Sequence, residues 1–317
     1  MVDKVFGLDF SNETTPTGTS TISVNNGSVL VDVELQNLHK ALTTATETQS
    51  GAIELATNAE ALLGTDSTRA ITAAVLAYLG NKEGWRPDTN TWTYSSADSP
   101  TFVISINADM TTTIYPGYKF KLTQTTTKYF IVTAVGTFSA GATLVTVYGG
   151  TDYTLANAAI SSPYWSNRKA PAGFPLAPDK WTVSVTDTSD RSQASPVTNT
   201  WYNLGSLTIS IPIGVWSVNY KVLQRCAKAA STLTNMASTL STGTTTESDS
   251  DLSVFETLGG ASGSLVLLTT QVSIPKILTL AAKTSYYLNG RTTGGADSIG
   301  HRGDSGTTVI RAVCAYL

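Results

Sequence analysis

The sequence predicts a mainly β chain: a short helical region near the N-terminus, then a small β-barrel or sandwich, then a larger C-terminal β-sandwich. Three observations carry that expectation. Charged residues make up 14% of the 317 and the formal net charge is −3, which leaves broad polar but uncharged surfaces. Hydrophobic residues make up 41% and are spread along the chain, the composition of a folded protein rather than a disordered one. Beyond residue 90, short β-branched and aromatic runs recur between turn signals, the pattern of many short strands. The same numbers narrow function. No basic footprint points to nucleic acid, and no run of about 18 apolar residues points to membrane insertion. The opening MVDKVFGLDFSNETTP has no secretory apolar core, so synthesis in a cytoplasm is expected. In that compartment Cys226 and Cys314 are read as reduced rather than bridged.

Residues 1–28 are polar and turn-rich, with one apolar knot of Val5, Phe6, Leu8 and Phe10. Such a segment buries too little surface to fold alone. The knot favours a peptide that docks on another protein over a frayed terminus. Residues 29–83 form the expected helical region. Val31, Leu35, Leu38, Leu42 and Ala45 alternate spacings of four and three, which predicts a coiled-coil seam of two heptads. Residues 51–80, GAIELATNAEALLGTDSTRAITAAVLAYLG, predict two short helices. Gly64 closes the first in a left-handed conformation, and Asp66 or Ser67 caps the second before Gly80 stops it. Helices below about 12–15 residues are marginal in water, so these must pack on something, with copies of the same chain the economical candidate.

Residues 84–162 predict a small β domain, with strands at 91–96, 101–106, 112–115, 118–123, 128–134 and 142–148. Alternation puts Tyr118, Phe120 and Leu122 on one face. Residues 163–180 carry Pro163, Pro171, Pro175 and Pro178, the density of a semi-rigid spacer, and are read as a domain boundary. Residues 181–317 predict a sandwich with strands at 181–186, 207–211, 214–222, 265–272, 277–281, 285–288 and 307–316. The closing strand is apolar on both faces except at Arg311, which predicts cover on both sides.

The 51–80 stretch resembles a repeat of tailed-bacteriophage tail fibres, in which G-x-I-E-L-A-T is followed by E-A, G-T-D and R-A. Gly51, Ile53, Glu54, Leu55, Ala56, Thr57, Glu60, Ala61, Gly64, Thr65, Asp66, Arg69, Ala70 and Thr72 match, while Ile71 and Ala73 stand where Val and Pro are usual. The C-terminal pattern is similar to the trimeric jelly-roll heads of the C1q and tumour-necrosis-factor type. These resemblances imply a homotrimeric receptor-binding fibre of the virion. It would be attached to other tail or virion proteins through its N-terminus and would meet a host-surface glycan or protein with its distal head.

Nothing in the sequence supports catalysis, a cofactor or a metal. Two histidines lie at no zinc spacing, and no phosphate loop or nucleophile elbow appears. Glu247, Asp249 and Asp251 alternate as calcium ligands can, but without the glycine and distal glutamate of an EF-hand. Arg302-Gly303-Asp304 is explained by a tight turn. Trp201, Tyr202, Tyr286 and Tyr287, near strand ends, are the candidate receptor contacts, since rings there stack on sugars. Two other readings remain: a structural collar, baseplate or head fibre, and an enzyme that degrades surface polysaccharide.

Overall fold

A computed structural model describes residues 21–25, 30–34, 53–81, 84–229, 232–261 and 263–317. The chain divides into two compact units, Met1–Leu79 and Gly80–Leu317. In the first, strand β1 (Thr21–Asn25) pairs antiparallel with β2 (Leu30–Glu34), setting Val24 opposite Val31. Val31 therefore lies in a strand and not on a helical seam. The reason is local: Val31-Asp32-Val33-Glu34 alternates with period two, and β-branched residues favour extended backbone. Leu35, Leu38 and Leu42 lie outside the described residues, as do Val5, Phe6, Leu8 and Phe10.

Further along, a helix over Asn58–Leu63 starts at Thr57, whose hydroxyl caps the Glu60 amide while the Glu60 carboxylate returns to the Thr57 amide. Gly64 ends it at φ 65°, as the sequence predicts. The second helix, Ala73–Asn81, is capped by Thr72, whose hydroxyl accepts from Val75 N at 3.2 Å. Asp66, expected in that role, instead closes a turn on Thr68.

The second unit begins with a seven-stranded antiparallel sheet. Its strands are β3 (Arg86–Pro87), β4 (Trp92–Asp98), β5 (Thr101–Ile106), β6 (Lys119–Thr123), β7 (Thr127–Ser139), β8 (Ala142–Tyr148) and β9 (Ser161–Ser166). They lie in the order β3-β9-β6-β7-β8-β5-β4 and do not close into a barrel. One face covers a core of Trp92, Ile104, Phe120, Leu122, Phe130 and Val145. Residues 112–115 form turns rather than a strand, returning Ile114 to this core.

Eleven further strands make two facing sheets: β10 (Thr182–Asp187), β11 (Arg191–Ala194), β12 (Tyr202–Ile211), β13 (Gly214–Lys228), β14 (Leu233–Ser241), β15 (Ser253–Ala261), β16 (Leu265–Val272), β17 (Lys276–Leu280), β18 (Thr284–Gly294), β19 (Ser298–His301) and β20 (Thr308–Cys314). One sheet runs β10-β20-β13-β19-β11, with β16 and β17 on the other side of β13; the second runs β12-β18-β14-β15. Alternation sends Trp216, Val218, Tyr220 and Val222 of β13 inward against Ile209, Leu240 and Leu288. This is a β-sandwich.

The proline-rich stretch is not a spacer. Phe174 and Trp181 stack at 5.0 Å in the same core as Trp85, Ile131 and Tyr148 of the first sheet and Trp216 of the sandwich. Residues 161–166 are strand β9, paired with β3 and β6. The second face of the first sheet is therefore covered around Ile131 and Tyr148, while Leu144 stays 47% exposed, and even Lys119, which alternation sends away from Phe120, is fully buried. Its ammonium donates to the carbonyls of Gly117 (2.9 Å) and Tyr316 (2.7 Å), and burial pushes its pKa down to about 8. In β20, Ile310, Ala312 and Cys314 face the core, while Arg311 is exposed and needs no buried partner. Cys226 and Cys314 are unpaired, and burial raises both thiols to about 11.

Candidate functional site

The four predicted receptor aromatics do not share a platform. Tyr286 points into the core, and Tyr287, its strand neighbour, faces the other way and is half-buried. Trp201 is only 6% exposed. Tyr202 is half-buried, its hydroxyl accepting from Val197 N at 2.9 Å, and it borders a groove.

That groove, of about 320 Å³, lies between β11 of one sheet and β12 of the other. Ser192 and Gln193 form one wall, Tyr202, Asn203 and Ser206 the other, and Thr244 and Thr245 a third. A break in strand register builds it. Between Asn203 and Thr208 the pairing with β18 shifts, with Gly205 at φ 70° and Ser206 at φ 55°. Gly205 is required twice over, because a Cβ there would also stand 2.4 Å from Arg191 Cδ. The Asn203 amide spans the bulge, donating to Leu207 O and Leu288 O, both at 2.9 Å. No charged side chain lines the groove, so it offers hydroxyls and amides beside one ring. Such a surface suits a neutral, hydroxyl-rich ligand. The one sequence signal for it is Gly205-Ser206 inside a strand pattern, which marks a bulge.

Behind the groove floor, at Leu204, the sandwich interior turns polar. A Cβ on Gly290 would touch Leu204 Cδ1 and Gln224 Nε2 at 3.2 Å and His301 Nε2 at 3.3 Å, so these groups converge on one backbone point. His301 is fully buried and neither ring nitrogen has a hydrogen-bond partner. Burial pushes its pKa down to about 4 against the weaker pull of Asp187, which keeps the imidazole neutral.

Other sequence candidates are tied up internally. Lys276 bridges Asp249 (2.5 Å) and Asp251 (2.9 Å), so a lysine occupies the place of a cation in that acidic loop. Arg302 pairs with Asp190 (2.8 Å) and Asp304 (2.6 Å), folding the Arg-Gly-Asp turn on itself. Among the described residues no cluster of His, Cys, Asp and Glu could hold a metal, and no helix is long and apolar enough to cross a membrane.

A second surface is apolar. β16 and β17 pair only with β13 among the described strands, leaving their far edge open. β16, LVLLTTQV, carries no charge, and Val266, Leu268, Val272, Ile274 and Ile277 are each more than half exposed. β17 is charged only at its first residue, Lys276, and an edge as bare as that of β16 invites another chain.

No family model and no curated protein matches this chain. Solved structures of infectious bursal disease virus match at low similarity. The Gx strain aligns at 13% identity and TM-score 0.21, over 71% of this chain and 59% of that one. T=1 particles derived from the virus align at 13% identity and TM-score 0.23, over 73% and 74%. A VP2 subviral particle aligns at 13% identity and TM-score 0.21, over 74% and 77%. This chain thus spans 59% of the length of the Gx-strain chain. Similarity of that extent establishes neither fold nor function here.

Proposed function

We propose that this chain is a virion fibre protein of a tailed bacteriophage that assembles as a homotrimer. It joins the particle through its N-terminal segment and binds a host-surface glycan with its C-terminal, jelly-roll-like sandwich. The observation that carries this proposal is the closed network in the fibre-like stretch. Arg69 pairs with Glu54 (3.2 Å), Glu60 and Asp66 (3.2 Å), while Thr57 and Glu60 cap each other. A parallel bridge between Leu55 and Ala70 holds the two limbs together. The polar positions of the motif thus specify one compact turn-and-helix module. That gives the resemblance a physical reason, since three of the acids matched in it, Glu54, Glu60 and Asp66, all face one arginine. The open edge at β16 and β17 supports self-association. The groove supports binding rather than cleavage, because it is lined by hydroxyls and amides, whereas glycoside hydrolysis uses two carboxyl groups.

Light scattering on the purified protein tests assembly: three times the 33.4 kDa chain mass is expected, and a stable monomer at micromolar concentration overturns the trimer. Adsorption of labelled protein to host cells, competed by purified host polysaccharide, tests the receptor role. Absence of adsorption overturns it.

A further inference from the structure

The outer face of the β12-β18-β14-β15 sheet holds a cation that forms no ion pair with the described residues. Arg291 of β18 lies between two rings, its guanidinium carbon 4.6 Å from the centre of Trp201 and 5.5 Å from that of Phe255. Register explains the grouping. Ala237 of β14 stands opposite Arg291 on one side and Phe255 on the other, and its small side chain leaves room for the guanidinium to lie across the sheet. Tyr202 pairs with Gly290, which brings the preceding Trp201 alongside Arg291. Phe255 keeps 47% of its surface exposed, so one ring of the clamp is open to a ligand.

Arg291 shares the lack of a carboxylate partner with Arg86, Arg225 and Arg311; what sets it apart from them is the pair of rings, since Arg86 lies over Trp165 alone. Arg69, Arg191, Arg302, Lys180, Lys276 and Lys283 each pair with a carboxylate. The Arg291 side chain makes no ion pair or hydrogen bond with the described residues, and its Nε is buried without a partner. Asn235 Oδ1, one row along the same face, is also buried and unpartnered. A guanidinium stays charged at any physiological pH, and stacking fixes its plane while leaving the fork of terminal N–H donors free. Unused, such a fork forgoes its strongest interaction, a bidentate pair with a planar anion.

We propose that Arg291, clamped by Trp201 and Phe255, is a binding site for a carboxylated sugar, such as a uronic or nonulosonic acid residue. The guanidinium receives the carboxylate and Phe255 stacks on the C–H face of the sugar ring. The proposal rests on the glycan-binding function above and deepens it: the neutral groove takes hydroxyl-rich units and the arginine clamp selects for acid.

The test is titration of the full-length protein with glucuronate-containing oligosaccharide, N-acetylneuraminic acid, a neutral glucose oligomer and inorganic phosphate, followed by NMR or calorimetry. Expected is binding of at least one acidic sugar, at least tenfold weaker in Arg291→Gln and in Arg291→Lys, which keeps charge but loses the fork. Phe255→Ala should weaken acidic sugars at least threefold and leave any phosphate binding unchanged. Unchanged melting of each variant shows that it is folded. Phosphate binding as tightly as the sugars overturns the sugar assignment, and acidic-sugar binding indifferent to both Arg291 variants overturns the site. If no acidic sugar binds but cells still adsorb the protein, this site falls and the receptor function stands. If adsorption is absent too, both fall.

Discussion

Residues 53–79 and residues 84–317 are stabilised by opposite means. Among the described side chains of the first stretch only Ala56 and Val75 are buried and apolar, while Ile53, Leu55, Leu63, Ile71 and Leu76 are each at least 45% exposed. Order there comes from caps, one bridge and the acids around Arg69. The larger unit buries Trp181, Trp216, Phe120, Phe130 and Ile104 to 5% exposure or less and joins two β regions through one core. Hydrogen bonds specify a shape at small net gain, about 0.5–1.5 kcal/mol each, whereas burial supplies most of the stability. The stretch at 53–79 is therefore well specified but weakly held, and its bare apolar side chains need cover that the β unit already provides for itself.

Three experiments sharpen or break this contrast. The largest effect is expected at Trp216, fully buried and edge-on to Tyr148 at 5.0 Å. Trp216→Ala should cost about 3–5 kcal/mol in urea unfolding of the β unit. A cost below about 1 kcal/mol would mean that the two β regions are not held by a common core.

Next is acid. The folded pKa of His301, about 4, lies below its ordinary 6.5. The unfolded chain therefore takes up a proton first as pH falls, and stability present above 6.5 is lost progressively down to about 4. That loss is of order 3 kcal/mol at 1.36 kcal/mol per unit. Denaturation at pH 7, 5.5 and 4 should show it, and His301→Gln should flatten the decline. An equal decline in the variant would assign the acid sensitivity to other groups.

The smallest effect belongs to the first stretch. Thr57→Ala removes one cap and should cost about 1 kcal/mol. Amide exchange should speed up over Asn58–Leu63, with the melting of the β unit unchanged. Equal loss of protection in both would mean that the stretch and the β unit unfold together.

Much of the architecture is legible in the residues. β5, β8 and β16 span the ranges that their β-branched runs predict, because turn residues bound each run on both sides. The strands that escape notice are those whose cover is tertiary. β14 reads LTNMASTLS, polar and without alternation, yet six of its nine residues from Met236 to Ser241 are buried between neighbours and loops. β9 carries Pro163, which hides a strand inside a proline-rich run. The candidate site is less legible still. Aromatic residues near strand ends mark where rings occur but not which face they take, and one step of register separates buried Tyr286 from Tyr287. The Arg291 clamp assembles from positions 201, 255 and 291, which only the order β12-β18-β14-β15 brings together.

That β20 lies between β10 and β13 also sets the order of events during synthesis. Among the described strands β10 pairs only with β20, about 120 residues later in the chain. Until those residues leave the ribosome, β10 presents an unpaired edge and β13 one vacant flank. The nascent sandwich is thus incomplete while most of it is already made, a state in which exposed edges favour association between chains. Copies translated from one message pass through this state side by side. Pausing late in translation should therefore raise the yield of misassembled chains, whereas pausing before residue 182 should not.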